Sequence, residues 1–218
     1  LLNGDDANAL EVFAKQGHSP MKRVGIAADC DARITDIDYR ADGTAFTVEG
    51  ERYEMGMNGE YNVRNAAMAI TAARFVGVAP EMIREAVAAF RSVKRRQEVR
   101  GVTGRGITIV DDFGHHPTAI REAIAGMRKR FDGARLWAVF EPRSNTTRRN
   151  VFQEALPEAL GQADGVCLAA VARADKLAED ERLDTDLLMK TLRDQGLPAF
   201  YEPDADAIVA RLEVEARD

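Results

Sequence analysis

Cysteine is scarce in this sequence, which contains only Cys30 and Cys167 among 218 residues. Their separation matches no zinc-binding pattern, and two thiols do not make a disulfide framework. Disulfide-rich secreted scaffolds are therefore excluded as a class. We expect a reduced, cytoplasmic protein without a metal site built on these residues.

Long apolar runs and an excess of positive charge are also missing. No stretch approaches the ~20 apolar residues of a membrane-spanning helix, and no signal peptide is recognisable. The 36 acidic residues outnumber the 30 basic ones, giving a net charge of −6. This balance argues against a general nucleic-acid binder. Neither a membrane nor a nucleic acid is expected as a partner, and the oligomeric state is left open.

The 218 residues, 45% of them hydrophobic, suit one large domain or two small ones, and two α/β pieces joined near residue 96 are predicted. In residues 1–96 a first helix is expected to end near Gly17. The segment "RITDIDYRADGTAFTVEGERYEM" has the alternating pattern of β-strands and is interrupted by the turn signals "ADG" and "EG". This pattern predicts a β-meander. Two helices follow, and the second is predicted to place one apolar face on Met82, Ile83, Ala86, Val87 and Phe90.

Residues 97–218 alternate between strand and helix patterns. The predicted strands are "GITIV", which is expected to be buried, "LWAVFE", "GVCLAAV" and "AFYE". The helices are predicted to start near Pro117, Thr147, Thr185 and Asp204. Such alternation predicts βαβ units and a mainly parallel sheet.

Polar residues are concentrated in three loops of this second half. Because the carboxyl ends of parallel strands share one sheet edge, "DDFGHHP", "EPRSNTTRR" and "ARADKLAEDERLDT" are expected to converge. Acids suit a ribose diol, whereas His, Arg and the N–H groups after Pro117 suit phosphate. A nucleotide phosphate site is predicted from these side chains: Asp111, Asp112, His115, His116, Arg143, Asn145, Thr146, Arg148, Arg149 and Lys176.

Simpler interpretations exist for the same residues. Asp111 and Asp112 suit a strand end and a turn, and the arginines suit a solvated surface. His115 and His116 resemble a metal site only superficially, because adjacent side chains diverge in extended backbone and lack the i, i+4 spacing of helical ligands.

A second candidate segment is "GEYNVRNAA", residues 59–67. Asn62 and Asn65 lie three apart at a predicted helix start and therefore share a face. Carboxamides offer a donor and an acceptor together, which suits the edge of adenine. The structural alternative is that Asn62 only caps the helix.

Together these segments resemble the Mur ligases, the ATP-dependent amide-forming enzymes of peptidoglycan synthesis. "GEYNVRNAAMAI" is similar to the family's G-x-H-N-x-x-N-x-x-A segment, "VKRRQE" to its basic interdomain linker, and "DDFGHHPTAI" to its nucleotide-facing loop. The "DDFGHHP" spelling is close to that of the branch that adds L-alanine to UDP-N-acetylmuramate. "EPRSNT" is more like the recycling branch, which adds the murein tripeptide L-alanyl-γ-D-glutamyl-meso-diaminopimelate.

The resemblance spans essentially the whole chain and implies an α/β fold. Residues 1–96 would be the C-terminal portion of the family's central ATP-binding domain. Residues 97–218 would be its Rossmann-like C-terminal domain, with a mainly parallel sheet and the last strand and helix missing.

The resemblance also implies roles for particular residues. Asn62 and Asn65 would contact adenine, Arg96 the ATP phosphates, and Asp112 the ribose. His115 and His116 would lie near the phosphates or the acyl phosphate. Three further residues would position the incoming amine: Arg143, Asn145 and Thr146.

The implied reaction uses ATP and Mg²⁺. The muramyl carboxylate of UDP-N-acetylmuramate would be phosphorylated, and the amino group of the tripeptide would attack the acyl phosphate. Domain closure would orient the reactants and exclude water. Tyr61 departs from the family pattern, in which many members have His at this position.

The phosphate-binding loop of the family, G-x-x-G-K-[ST], does not occur in this chain, because "GVTGRG" lacks the Lys and lies between strands. The chain also begins "LLNGDD" without Met, so we expect a fragment of a ligase that is inactive alone. Two alternatives from other classes are a non-catalytic Mur-like nucleotide-binding or scaffold module, and a metal-dependent hydrolase built on "DDFGHH". An intact phosphate-binding loop upstream would favour the enzyme, and bound zinc or manganese would favour the hydrolase.

Overall fold

The computed structural model describes residues 1–216, and the final two residues of the predicted C-terminal domain lie outside the described part. Contacts divide the chain into two compact units. The first comprises residues 1–94 and 129–132, and the second comprises residues 95–128 and those from Gly133 onward. The assignment of these units to two ligase domains stays a prediction.

The first unit contains a mixed five-stranded sheet whose strands follow chain order: β1 (Leu2–Asn3), β2 (Arg23–Gly25), β3 (Ala32–Arg40), β4 (Gly43–Val48) and β5 (Glu51–Met55). The first three strands are parallel, and β3, β4 and β5 form antiparallel pairs. The predicted β-meander is therefore confirmed. Its last hairpin turns at Glu49 and Gly50, both with left-handed φ values of 50° and 81°, the backbone that a tight hairpin requires.

Three helices accompany this sheet: α1 (Ala7–Gln16), α2 (Glu60–Phe75) and α3 (Pro80–Ala89). The Asp6 side chain accepts the N–H groups of Asn8 and Ala9, which fixes the start of α1. The helix ends before Gly17, as predicted. Helix α2 contributes Val63, Ala67 and Ile70 to the buried core of the unit.

The predicted apolar face of α3 is only partly correct. Ile83 is buried, and Val87 packs against the core, but Met82 and Phe90 are exposed. Met82 is one residue from Ile83 and therefore points about 100° away around the helix. Phe90 follows the end of α3 and has extended backbone, so it leaves the helical face.

The second unit contains a three-stranded parallel sheet and a separate two-stranded antiparallel ribbon. The sheet has the order β10 (Ala199–Glu202), β9 (Gly165–Ala169), β8 (Trp137–Phe140), and the ribbon pairs β6 (Glu98–Val102) with β7 (Thr108–Asp111). Four helices belong to this part of the chain: α4 (Pro117–Arg130), α5 (Ala155–Leu160), α6 (Thr185–Asp194) and α7 (Ala205–Glu215). The predicted strand–helix alternation and parallel sheet are confirmed.

Two local predictions for the second unit are wrong. "GITIV" is not a buried strand, since Ile109 is 51% exposed and β7 pairs with β6 instead of joining the parallel sheet. The turn at Gly106, with φ of 81°, lets β7 fold back on the strand just before it. No helix starts near Thr147: a short 3₁₀ turn at Asn150–Phe152 comes first, and α5 starts at Ala155.

The core of the second unit lies between helices and one face of the parallel sheet. Ile120 and Ile124 lie four residues apart on α4 and therefore on one face of that helix. They join Leu156, Leu188 and Val166, which are fully buried. Each such side chain contributes roughly 1.5–3 kcal/mol relative to exposure. This core fixes the ends of the strands from which the polar loops emerge.

Candidate functional site

The three polar loops of the second unit lie in contact, as predicted. The Ala172 N–H donates to the Pro142 carbonyl oxygen at 3.1 Å, and the Leu183 N–H donates to the Arg148 carbonyl oxygen at 3.0 Å. These bonds join the loop after β8 to the loop after β9. The loop after β7 reaches them through His116, whose ring lies edge-on to Phe152 with centroids 4.9 Å apart.

Asp112 organises the loop after β7. Its Oδ1 accepts the Gly114 N–H at 2.7 Å, and its Oδ2 accepts the Gln97 N–H at 3.0 Å. The turn role considered for this residue is therefore present. A carboxylate oxygen can accept more than one hydrogen bond, so the Asp112 carboxylate can still accept one from a ribose hydroxyl. Its contact with ribose stays a prediction.

The two histidines make different local contacts. His115 Nδ1 lies 3.0 Å from the Phe113 carbonyl oxygen. His116 Nδ1 accepts the Thr118 N–H at 3.2 Å, which satisfies one of the N–H groups at the start of α4. The Thr118 N–H is therefore not available to bind phosphate at the predicted site. Both imidazoles are exposed, and Nε2 of His116 keeps its hydrogen-bonding capacity for a ligand.

The loop after β8 has a rigid base and an exposed rim. The Ser144 N–H donates to Thr147 Oγ1, and the Thr147 N–H donates to Ser144 Oγ, both at 3.1 Å. Thr147 is completely buried. The predicted substrate residues Arg143, Asn145 and Thr146 lie on the exposed rim of this turn.

Arg148 connects this rim to the neighbouring loop. Its Nη2 donates to Asn145 Oδ1 at 2.5 Å, while its Nη1 lies 3.4 Å from the Ala172 carbonyl oxygen. Arg149 forms an ion pair with Glu181 of the same neighbouring loop. These arginines were predicted as possible phosphate ligands, and the structure shows them engaged within the loop pair.

Asn62 and Asn65 lie in the first unit, in the first turns of α2. Asn62 does not cap the helix, because the N-cap residue is Gly59, with φ of 99°. Its Nδ2 donates instead to the Asn58 carbonyl oxygen at 2.6 Å, and Oδ1 of the same amide is the acceptor left for a ligand. Asn65 is exposed. A shared nucleotide contact with the second-unit residues stays a prediction.

Asn58 is a supporting residue that the sequence analysis missed. It is buried, donates through Nδ2 to the Arg40 carbonyl oxygen at 3.0 Å, and lies 3.1 Å from the Thr44 hydroxyl. These bonds fix the segment that leads into α2. The adjacent Asn58–Gly59 pair is the turn signal that could have identified it.

Asp5 is a second missed residue. Its carboxylate accepts the N–H groups of Ile26 and Ala27, and Arg64 Nε donates to it at 2.8 Å. Burial alone would raise the pKa of Asp5, but these hydrogen bonds outweigh it and hold the pKa below its usual value. Since Arg64 lies between Asn62 and Asn65 on α2, this contact fixes the helix that carries both amides.

Two observations concern metal and thiol groups. Within residues 1–216, no group of three or more His, Cys, Asp or Glu side chains is arranged to hold a metal ion. Burial raises the pKa of the Cys167 thiol to about 11, so this sulfur is protonated and a poor nucleophile at neutral pH.

None of the helices in the described part of the chain combines the length and the apolar character needed to cross a bilayer.

Comparison with known proteins shows the family to which the region with these loops is similar. The profile described as "Mur ligase, glutamate ligase domain" matches residues 94–218. The chain belongs to the Mur ligase family. The matched region includes all three polar loops of the second unit and the linker residues that contact Asp112.

Two curated Mur ligases illustrate the relationship. The UDP-N-acetylmuramate–L-alanyl-γ-D-glutamyl-meso-2,6-diaminoheptandioate ligase of Escherichia coli K12 is 38% identical over 168 residues, covering 75% of this chain and 36% of the relative. A UDP-N-acetylmuramate–L-alanine ligase of Bordetella pertussis is 35% identical over 225 residues, covering 93% of this chain and 46% of that protein. The chain thus spans less than half the length of either relative.

A solved Mur ligase structure supports the fold. The crystal structure of a murein peptide ligase from Psychrobacter arcticus 273-4 superposes with a TM-score of 0.67 at 26% identity. The superposition covers 99% of this chain and 45% of that one. The predicted α/β fold is confirmed.

Proposed function

We propose that this chain is part of an ATP-dependent ligase of peptidoglycan recycling. The ligase joins UDP-N-acetylmuramate to L-alanyl-γ-D-glutamyl-meso-diaminopimelate in the cytoplasm. The observation that carries the proposal is the family match over residues 94–218, with the "EPRSNT" loop as the feature favouring the tripeptide. The identity to the Escherichia coli ligase named for this tripeptide supports the same choice.

A second candidate is the ligase that adds L-alanine to UDP-N-acetylmuramate. The relative from Bordetella pertussis carries that name and matches more of this chain, 93% against 75%. The "DDFGHHP" spelling also favours this branch. The two candidates share the chemistry and differ in the amine that attacks.

Four residues are assigned to the nucleotide. Asn62 and Asn65 present carboxamides for adenine on the first turns of α2. Asp112 offers its carboxylate to the ribose, and Arg96 offers a guanidinium to the phosphates. Tyr61 lies within the segment assigned to adenine, at a position where many members of the family have His.

The proposed reaction has two steps. A carboxylate oxygen of UDP-N-acetylmuramate takes the γ-phosphoryl group of ATP, which releases ADP and leaves an acyl phosphate. The neutral amine of the tripeptide then attacks the carbonyl carbon, and phosphate leaves as the amine loses a proton. His115 and His116 lie at the loop where the phosphates are assigned, and there they stabilise developing negative charge.

The amine substrate is assigned to the loop after β8. Arg143, Asn145 and Thr146 lie on its exposed rim above the rigid Ser144–Thr147 base. A guanidinium pairs well with the carboxylates that a γ-D-glutamyl peptide carries. Rigid placement of these side chains orients the amine and so lowers the entropy lost on reaching the transition state.

The 218-residue chain alone is proposed to be inactive, because it contains no G-x-x-G-K-[ST] loop to hold the triphosphate. ATP turnover by the isolated chain would refute this part of the proposal. A non-catalytic Mur-like module is the alternative of another class. The upstream reading frame discriminates between them: an intact phosphate-binding loop supports the enzyme.

The substrate is tested with the longer protein that contains this chain. Phosphate release is measured with ATP, UDP-N-acetylmuramate and either the tripeptide or L-alanine. The proposal predicts a kcat/KM for the tripeptide at least tenfold above that for L-alanine, equivalent to about 1.4 kcal/mol. The reverse preference assigns the protein to the second candidate.

A further inference from the structure

The basic linker contacts the loop after β7 at several points. The Phe113 N–H donates to the Arg95 carbonyl oxygen at 2.7 Å, next to the Gln97–Asp112 bond described above. Arg95 and Gln97 both have left-handed φ values, 61° and 47°. Residues with side chains rarely adopt this backbone unless their surroundings impose it. Contacts with the loop therefore fix the linker.

Phe113 is the centre of these contacts. Phe113 is 49% exposed, so part of its ring lies outside the buried core. The guanidinium carbons of Arg95 and Arg96 lie 5.2 Å and 5.8 Å from the ring centroid, within the range of cation–π attraction. The His115 ring lies edge-on to the same phenyl ring at 5.2 Å.

Arg95 also contacts an acid, since its Nε lies 3.4 Å from the Asp111 carboxylate. Arg96 is the residue assigned to the phosphates. One phenyl ring thus connects Arg96 and His115, both of which are assigned to the phosphate end of the nucleotide.

We propose that Phe113 is a positioning residue for the nucleotide phosphates. Its ring holds the Arg96 guanidinium beside the loop that carries Asp112 and His115, so that the triphosphate meets a preformed cationic group. This inference rests on the proposed function, because it requires a nucleotide at this loop. Leucine at this position keeps an apolar side chain without a π face, whereas tyrosine keeps the aromatic face.

The first test needs no nucleotide. Trypsin cleaves after Arg95 and Arg96 when the linker leaves the loop, so linker docking in the 218-residue chain is reported by the rate at which mass spectrometry detects fragments cut at these two positions. Phe113→Leu is expected to raise this rate about three- to fivefold, and Phe113→Tyr is expected to restore the wild-type rate. Phe75→Leu is the matched control, because it removes an exposed phenyl ring at the end of α2. Equal rates for wild type and Phe113→Leu would overturn the inference.

The second test uses the full-length ligase. Phe113→Leu is expected to raise the KM for ATP about three- to fivefold, with a smaller change in kcat, and Phe113→Tyr is expected to restore it. In an Arg96→Ala background, Phe113→Leu should add less than about twofold, because the group that it positions is gone. An unchanged KM in an active enzyme would overturn the inference. A wild-type protein without ligase activity would instead defeat the proposed function, while the trypsin result would still decide whether Phe113 holds the linker.

Discussion

Arg128 and Asp164 form a two-point ion pair, with Nη1 2.7 Å from Oδ2 and Nη2 2.8 Å from Oδ1. The Leu136 N–H donates to the same carboxylate at 2.7 Å. One carboxylate therefore ties the end of α4 to the segments that enter β8 and β9. The strands whose loops form the candidate site are held in register by this contact.

Asp164→Ala is expected to lower the free energy of unfolding by about 1–2 kcal/mol, because Arg128 and the Leu136 N–H both lose a charged acceptor. The estimate stays small because 39% of Arg128 and 35% of Asp164 are exposed to solvent. Urea denaturation measures the change. Glu158→Ala is the matched control, since its 3.9 Å pair with Arg121 is more exposed and should contribute less than about 0.5 kcal/mol.

The same pair predicts a pH dependence. The Arg128 hydrogen bonds, helped by the Leu136 N–H, hold the pKa of Asp164 below its usual value despite partial burial. Because the folded pKa lies below the unfolded one, the contribution is complete above about pH 3.9 and is lost as the pH falls through the folded value. The stability difference between wild type and Asp164→Ala should therefore shrink as the pH is lowered below about 4. A difference that grows on acidification would contradict this account.

Tyr53→Phe tests a buried hydroxyl. Tyr53 is almost completely buried, and within residues 1–216 its hydroxyl oxygen has no hydrogen-bond partner. Removing an unsatisfied hydroxyl while keeping the ring should leave the protein as stable or stabilise it by up to about 1 kcal/mol. Thermal unfolding measures the effect. Tyr201→Phe, at an exposed position, is the control, and a loss above about 1 kcal/mol for Tyr53→Phe would show that this hydroxyl is bonded.

Thr147→Val tests the rigid base of the loop after β8. The substitution leaves the Ser144 N–H without its acceptor in a buried place, which should cost about 1–3 kcal/mol of stability. In the full-length ligase the KM for the amine substrate is expected to rise more than the KM for ATP, because only the amine is assigned to this loop. Thr108→Val in β7 is the matched control. Equal increases in the KM for the amine and the KM for ATP would contradict the assignment of the amine to this loop.

Asn65→Ala tests the adenine assignment. Asn65 is exposed on α2, so the substitution should leave folding intact, whereas loss of an amide contact should weaken ATP binding by ~1–3 kcal/mol. Calorimetric titration of the full-length protein with ATP measures the change. Asn8→Ala in α1 provides a control amide that is assigned to no ligand. Unchanged affinity in Asn65→Ala would remove that residue from the site.

Regular patterns made much of the fold predictable. The helix starts predicted near Pro117, Thr185 and Asp204 and the turn signals of the meander segment identified elements that the structure contains. The parallel sheet of β8, β9 and β10 follows from the same alternation. These patterns succeed because the side chains that define them are buried by neighbouring elements in the chain.

The errors arise where tertiary contacts replace the local preference. "GITIV" has the composition of a buried strand, but the turn at Gly106 pairs it with β6 and leaves Ile109 exposed. At Thr147, reciprocal bonds with Ser144 hold a turn where a helix start was expected. The roles of Asp5 and Asn58 depend on backbone N–H and carbonyl groups that are distant in sequence, so no local pattern reports them.

The central proposal is that the residues assigned to adenine and to ribose bind a nucleotide. The most direct measurement is a crystal structure of the full-length protein with a non-hydrolysable ATP analogue. We expect the adenine within hydrogen-bond distance of Asn62 or Asn65, and the ribose within hydrogen-bond distance of Asp112. An analogue bound away from Asn62, Asn65 and Asp112 would contradict the proposal.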